Sequence, residues 1–102
     1  MPCGLGQKCY TNSVHFDWDP AKAARNLRKH RVAFAEAATV FRDPLALFVQ
    51  DEEHRDRLVL FGSSERLRVL VVVHAEVDDD TIRIISARLA TAHERRRYEE
   101  GE

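Results

Sequence analysis

The chain has 102 residues, enough for one domain, with 44% hydrophobic and 32% charged side chains and a formal net charge of −1. This composition can build a core, which excludes a disordered chain. The near-neutral charge excludes a protein that coats nucleic acid by bulk electrostatics but leaves room for a local basic site.

The first stretch, residues 1–13, holds Cys3 and Cys9 but no apolar periodicity, and is read as a flexible leader ahead of a single domain over 14–102. A zinc site would need a second ligand pair at finger-like spacing, and a Cys3–Cys9 disulfide would close only a small terminal loop; two free thiols are the plainer expectation. No apolar run approaches the ~20 residues of a membrane span, and the leader lacks a signal-peptide core. A reduced, cytoplasmic protein follows from this reading.

Val14 to Trp18 alternates apolar and polar, the pattern of a short half-buried strand. Asp19-Pro20 then opens a helix, Asp as N-cap and Pro at the first helical position, running to about His30. Ala23, Ala24 and Leu27 give it a narrow apolar face, with Lys22, Arg25 and Lys29 opposite. A second helix carries Phe34, Ala37, Ala38 and Phe41 on one face and stops at Asp43-Pro44.

Three strands follow, over 45–51, 57–61 (ended by Gly62-Ser63-Ser64) and 68–76. The last of these contains Val69 to Val73, apolar on both faces, as a central strand would be. Asp78 to Asp80 makes a polar turn, and Thr81 to Arg88 returns antiparallel. In a regular strand Arg83 and Arg88 point to opposite faces, so both reach one site only if a bulge intervenes. Thr91-x-x-Glu94 fits a capping box that starts a final helix, polar almost all round. These elements make an α+β domain: a small, mostly antiparallel β-sheet with the N-terminal helices packed on one face and a short polar C-terminal helix.

Several stretches together resemble the BrnT-type toxins of bacterial type II toxin–antitoxin systems. They are Phe16-Asp17-Trp18-Asp19-Pro20-Ala21-Lys22, Asn26-Leu27-Arg28-Lys29-His30, Val32-x-Phe34-x-x-Ala37 and Phe41-x-Asp43-Pro44. Arg57, Gly62, Arg83 to Arg88 and Glu94-Arg95-x-x-Tyr98 complete the set, which covers roughly residues 16 to 100. Each motif is weak alone; their order and spacing are specific. The resemblance implies a fold like the RelE ribonucleases and a ribonuclease activity that blocks translation. It also implies a cognate BrnA-like ribbon-helix-helix antitoxin, two toxins and two antitoxins to the complex, and contact with operator DNA only through the antitoxin. The sequence departs from that pattern at Arg31, where the family usually has Gly, and at Leu89, where it often has Lys.

Cleaving RNA without a metal needs a base for the ribose 2′-hydroxyl, a cation for the charge growing on phosphorus, and an acid for the leaving oxygen. Arginine suits the second role and histidine the other two. Arg57 and Arg88 are the leading cations, with Arg83 next; His54, in a polar loop just before Arg57, is a rim histidine; Tyr98 could stack a base, donate a proton or simply anchor its helix. Lys22, Arg25, Lys29, His30 and Arg68 are candidate RNA-backbone contacts, and Arg95, Arg96 and Tyr98 candidate antitoxin contacts. Against each stands a plainer role: a solvated charge stripe, a helix-end cation at His30, or arginines paired with internal carboxylates. His74, alternating with Leu70 and Val72, either reaches a cleft or, the plainer expectation, is half-buried and hydrogen-bonded. No metal site, P-loop or dinucleotide fingerprint is present, and no cofactor is expected. A binding module acting in operon repression, with little cleavage, is the competing function; a plain interaction domain is the third.

Overall fold

A computed structural model describes residues 14–101; the leader and its two cysteines lie outside them. The first helix, α1 (Pro20–His30), starts where its cap sits: the Asp19 carboxylate accepts the Ala21 N–H at 2.8 Å. It ends on Arg31, which takes up a left-handed conformation (φ 59°) and donates its N–H to Leu27 O. A short helix, α2 (Phe34–Thr39), runs on through a tighter turn, Val40–Arg42, and stops at Asp43.

The strands are β1 (His15–Asp17), β2 (Leu47–Gln50), β3 (Leu58–Ser63), β4 (Val69–Asp78) and β5 (Thr81–Leu89). They form one sheet in the order β1-β5-β4-β3-β2, with β1 parallel to β5 and every other pair antiparallel. The valine-rich strand, β4, is central. β3 extends past its expected end because Gly62 and Ser63 pair with Leu70 and Val69. Only glycine fits at 62, since a Cβ there would lie 2.7 Å from Val40 Cγ1.

One face of the sheet is covered. Leu60, Leu70, Val72, Ile82, Ile84 and Ala87 point into α1 and α2, where Val32, Phe34, Ala37, Val40 and Phe41 complete the core. The way α1 docks bears out only part of the expected apolar stripe: Ala23 packs against the core, Ala24 and Leu27 are exposed, and the buried residue of the helix is Asn26. Its amide donates to Val32 O (2.9 Å) and Ala87 O (2.8 Å) and accepts from the Ala87 N–H (3.1 Å). A short polar side chain lets the helix approach β5 closely while satisfying buried backbone groups.

A second polar clasp closes the far edge of this layer. Glu36, buried on α2, accepts from the Arg68 guanidinium and from Ser64 Oγ (2.7 Å). Arg68 also reaches Arg31 O at 3.2 Å. The Arg68 hydrogen bond, with help from Ser64, holds the Glu36 carboxyl below its usual pKa.

His74 corrects another expectation. It is fully buried between Phe41 and Phe48 (ring centroids 4.7 and 6.0 Å away), and neither ring nitrogen has a hydrogen-bond partner among the described residues. Burial pushes its pKa down to about 4, so the ring is neutral at physiological pH.

Candidate functional site

The opposite face of the sheet carries no helix across its middle. Between Val73–Ser86 and His74–Ile84 the pairing of β4 with β5 slips by one residue, leaving Ile85 as the extra residue of a bulge. Beyond it Ser86 and Arg88 pair with Val73 and Val71; before it Arg83 pairs with Ala75. The bulge therefore puts Arg83 and Arg88 on the same face, where a regular strand would have opposed them.

This open face holds a groove of about 320 Å³. Val49, Val59, Phe61, Val71 and Val73 form an apolar floor, Ser86, Arg88 and Glu94 one wall, and Gln50, Asp51, Glu52 and Glu53 the lip at the end of β2. The helix α3 (Ala92–Glu100) borders the groove. None of its residues is buried, in keeping with its polar sequence, and polar contacts hold it instead. Thr91 and Glu94 form the expected capping box, and Tyr98 Oη donates to Asp43 Oδ2 at 2.5 Å. Arg97 stacks over the Phe61 ring at 5.5 Å.

Arg88 is the cation of the groove. Its fork meets the Glu94 carboxylate twice, Nη1 to Oε1 at 2.7 Å and Nη2 to Oε2 at 2.8 Å, and Nη1 also donates to Leu89 O at 3.2 Å. Arg88 is the main reason the Glu94 carboxyl falls to about 2; the Thr91 N–H adds to it. Both groups stay charged at every physiological pH.

The other sequence candidates are dispersed. Arg83 is tied to Asp17 on β1 (2.7 Å), an exposed pair outside the groove. Arg57 precedes β3 and is half-buried; its side chain makes no hydrogen bond or ion pair among the described residues. His54 is exposed beside the groove lip, its Nδ1 3.6 Å from Asp51 Oδ2. Tyr98 serves as an anchor: burial and the Asp43 carboxylate push its pKa up to about 12. Asp43, which burial alone would raise, is nonetheless brought below its ordinary value by the Ser63 N–H, the Tyr98 hydroxyl and the Leu45 N–H.

Lys22, Arg25 and Lys29 are exposed on α1, behind the sheet, with His30 at the helix end. Arg68 is committed to Glu36 and the Arg31 carbonyl on that same side, away from the groove. The cations therefore form two sets on two sides of the sheet. Arg95 and Arg96 are exposed on α3. Sequence reasoning missed Glu94 as the partner of Arg88, Arg97 over Phe61, and Asn26 as a core lock. The capping-box signal had located Glu94 but explained only one of its oxygens.

A family model described as the ribonuclease toxin BrnT of type II toxin–antitoxin systems matches residues 18–94, well over half of the chain. The chain belongs to the BrnT family. The crystal structure of the BrnT ribonuclease toxin from Brucella abortus superposes with a TM-score of 0.64 at 25% sequence identity. The match covers 76% of this chain and 97% of that one. A search of curated protein sequences finds no match. The family is one of RNA-cleaving toxins, so RNA is the target and an antitoxin the partner. Among the described residues no helix is long and apolar enough to cross a membrane.

Proposed function

We propose that this BrnT-family toxin is an endoribonuclease that cuts RNA on the open face of its sheet, without a metal, and so stops translation in the cytoplasm. The observation that carries the proposal is Arg88: the groove's charged fork, on a face left uncovered, in a chain of a ribonuclease family. A guanidinium that never loses its charge suits the steadying of a phosphorane-like transition state. The apolar floor offers a surface for a base to lie on. His54, beside the lip, is the proton carrier in this reading, because an imidazole can both accept and donate a proton. Arg57, at the start of β3, is a second phosphate contact.

In this reading a BrnA-like ribbon-helix-helix antitoxin covers the groove, using the exposed Arg95 and Arg96, and two toxins and two antitoxins assemble on operator DNA through the antitoxin alone. The exposed stripe Lys22, Arg25, Lys29 stands apart from the cleavage groove and serves the outlying RNA backbone or an acidic antitoxin segment. The test is to incubate the purified protein with RNA in the presence of a chelator. The parent cleaves; Arg88→Ala and Arg57→Ala, shown to be folded, lose most of the activity. Intact RNA with folded parent at high concentration contradicts the proposal.

One observation favours a second reading. The lip residues Asp51, Glu52 and Glu53 are acidic, which opposes the approach of a phosphate backbone from that side. An antitoxin-binding module with little cleavage would tolerate this, and it predicts tight antitoxin binding by protein that leaves RNA whole.

A further inference from the structure

The Arg88–Glu94 pair uses only part of the guanidinium. A guanidinium has five N–H donors in one plane. Both Nη1 donors are taken, by Glu94 Oε1 and Leu89 O, and one Nη2 donor is taken by Glu94 Oε2. The Nε–H and the second Nη2–H lie side by side along the remaining edge of the fork and meet no partner among the described residues. The Arg88 side chain is 41% exposed at the groove, while Glu94 is 19% exposed.

Glu94 is itself fixed. It stands in the first turn of α3, its Oε1 accepts the Thr91 N–H at 2.9 Å, and its own N–H donates to Thr91 Oγ1 at 3.1 Å. The carboxylate is therefore oriented by backbone on one side and grips the end of the Arg88 fork on the other. An arginine side chain left alone samples many rotamers. Clamped by its tip, it keeps one side edge in place.

We infer that Glu94 is a positioning residue: it holds Arg88 so that the Nε/Nη2 edge forms a two-donor cradle for the oxygens of an RNA phosphodiester in the groove. The inference rests on the reading of that groove as an RNA site. A phosphate takes the cradle without displacing Glu94, since the end of the fork and its side edge are separate. The spacing of two parallel N–H donors matches two oxygens on one phosphorus. A carboxylate held ionised this firmly is a poor proton acceptor at neutral pH, which separates positioning from a general-base role.

The experiment uses the full chain and three variants, Glu94→Gln, Glu94→Ala and Thr91→Ala. Thr91→Ala loosens the helix start but leaves the Arg88–Glu94 pair, so it controls for α3 stability. The first readout is the ¹⁵N signal of Arg88 Nε on adding a 2′-deoxy oligonucleotide that cannot be cleaved. The second is single-turnover cleavage of the matching RNA. In the parent and in Thr91→Ala the Nε resonance shifts with the oligonucleotide. In the two Glu94 variants the shift shrinks, and the cleavage rate falls by up to about a hundredfold, the scale of a misplaced catalytic contact.

Glu94 variants that bind or cleave as well as the parent, or better, overturn the inference and make the carboxylate a mere blocking counter-ion. An Nε resonance indifferent to the oligonucleotide in the parent overturns it too. A parent whose Nε shifts while its RNA stays intact sinks the ribonuclease reading alone and leaves the cradle standing.

Discussion

The two faces of the sheet each carry an arginine gripped by a carboxylate, and the two pairs are built differently. Behind the sheet, Arg68 meets buried Glu36 through Nε and Nη2, the side edge of its fork, and spends a further contact on Arg31 O. In the groove, Arg88 meets Glu94 through Nη1 and Nη2, the end of its fork, and its side edge is left over. The first pair ties the β3–β4 turn to α2, and its two remaining donors, both on Nη1, lie on that covered side. The second also leaves two donors, but side by side and at the open groove. An ion pair seen in a structure thus says little about function until the unused donors are located.

The contrast is easiest to break from the covered side. Arg68→Met leaves the Glu36 carboxylate buried without its main partner and is expected to cost about 3–5 kcal/mol, the range for uncovering one half of a buried pair. Chemical denaturation measures this, and the activity per folded molecule should be unchanged. Arg88→Ala should do the reverse, lowering RNA cleavage by about 10²–10³-fold. Its denaturation midpoint should move little, because the pair is partly solvated and such pairs contribute little to stability.

A third test uses pH. The His74 imidazole titrates near 6.5 in an unfolded chain and at about 4 in the fold, so protonation favours unfolding. Stability is full above about pH 6.5 and falls as the pH drops from there toward 4, by about 3 kcal/mol in all. Glu76, on the same strand, bears on this titration and moderates the loss. Glu94, whose pKa is depressed to about 2, adds its own loss only below the ordinary carboxylate range of about 4.5. His74→Leu should flatten the slope between pH 6.5 and 4 and leave cleavage alone; an unchanged slope would show that the ring is not the group responsible.

Asn26→Ala comes next, at about 2–3 kcal/mol for orphaning buried backbone groups of β5 and the α1–α2 turn. Amide exchange should quicken at Ala87 first. The smallest effect belongs to Arg31→Gly, which relieves a left-handed residue (φ 59°) and should raise stability by up to about 1 kcal/mol.

Local chemistry made much of the fold legible. Asp19-Pro20 and Thr91-x-x-Glu94 marked two helix starts because a cap is a contact over two or three residues. The run Val69 to Val73 marked the central strand because burial on both faces erases alternation. The site was less legible, and for a consistent reason. One extra residue at Ile85 decides which face Arg83 shares with Arg88, and nothing in a run of isoleucines announces a bulge. Arg68 and Glu36 lie 32 positions apart, so their pairing is a product of the fold. Of the stripe Ala23, Ala24, Leu27 only Ala23 meets the core, because Asn26 satisfies two carbonyls and an N–H at once, and those bonds, more than apolar area, set how α1 sits.

RNA is expected to meet the open face of the sheet. Amide shift mapping with a non-cleavable RNA oligonucleotide tests this most directly. The expected footprint covers Val71, Val73, Ser86, Arg88 and the first turn of α3, with Lys22, Arg25 and Lys29 unmoved by a short oligonucleotide. A footprint centred on α1, with the groove silent, would contradict it.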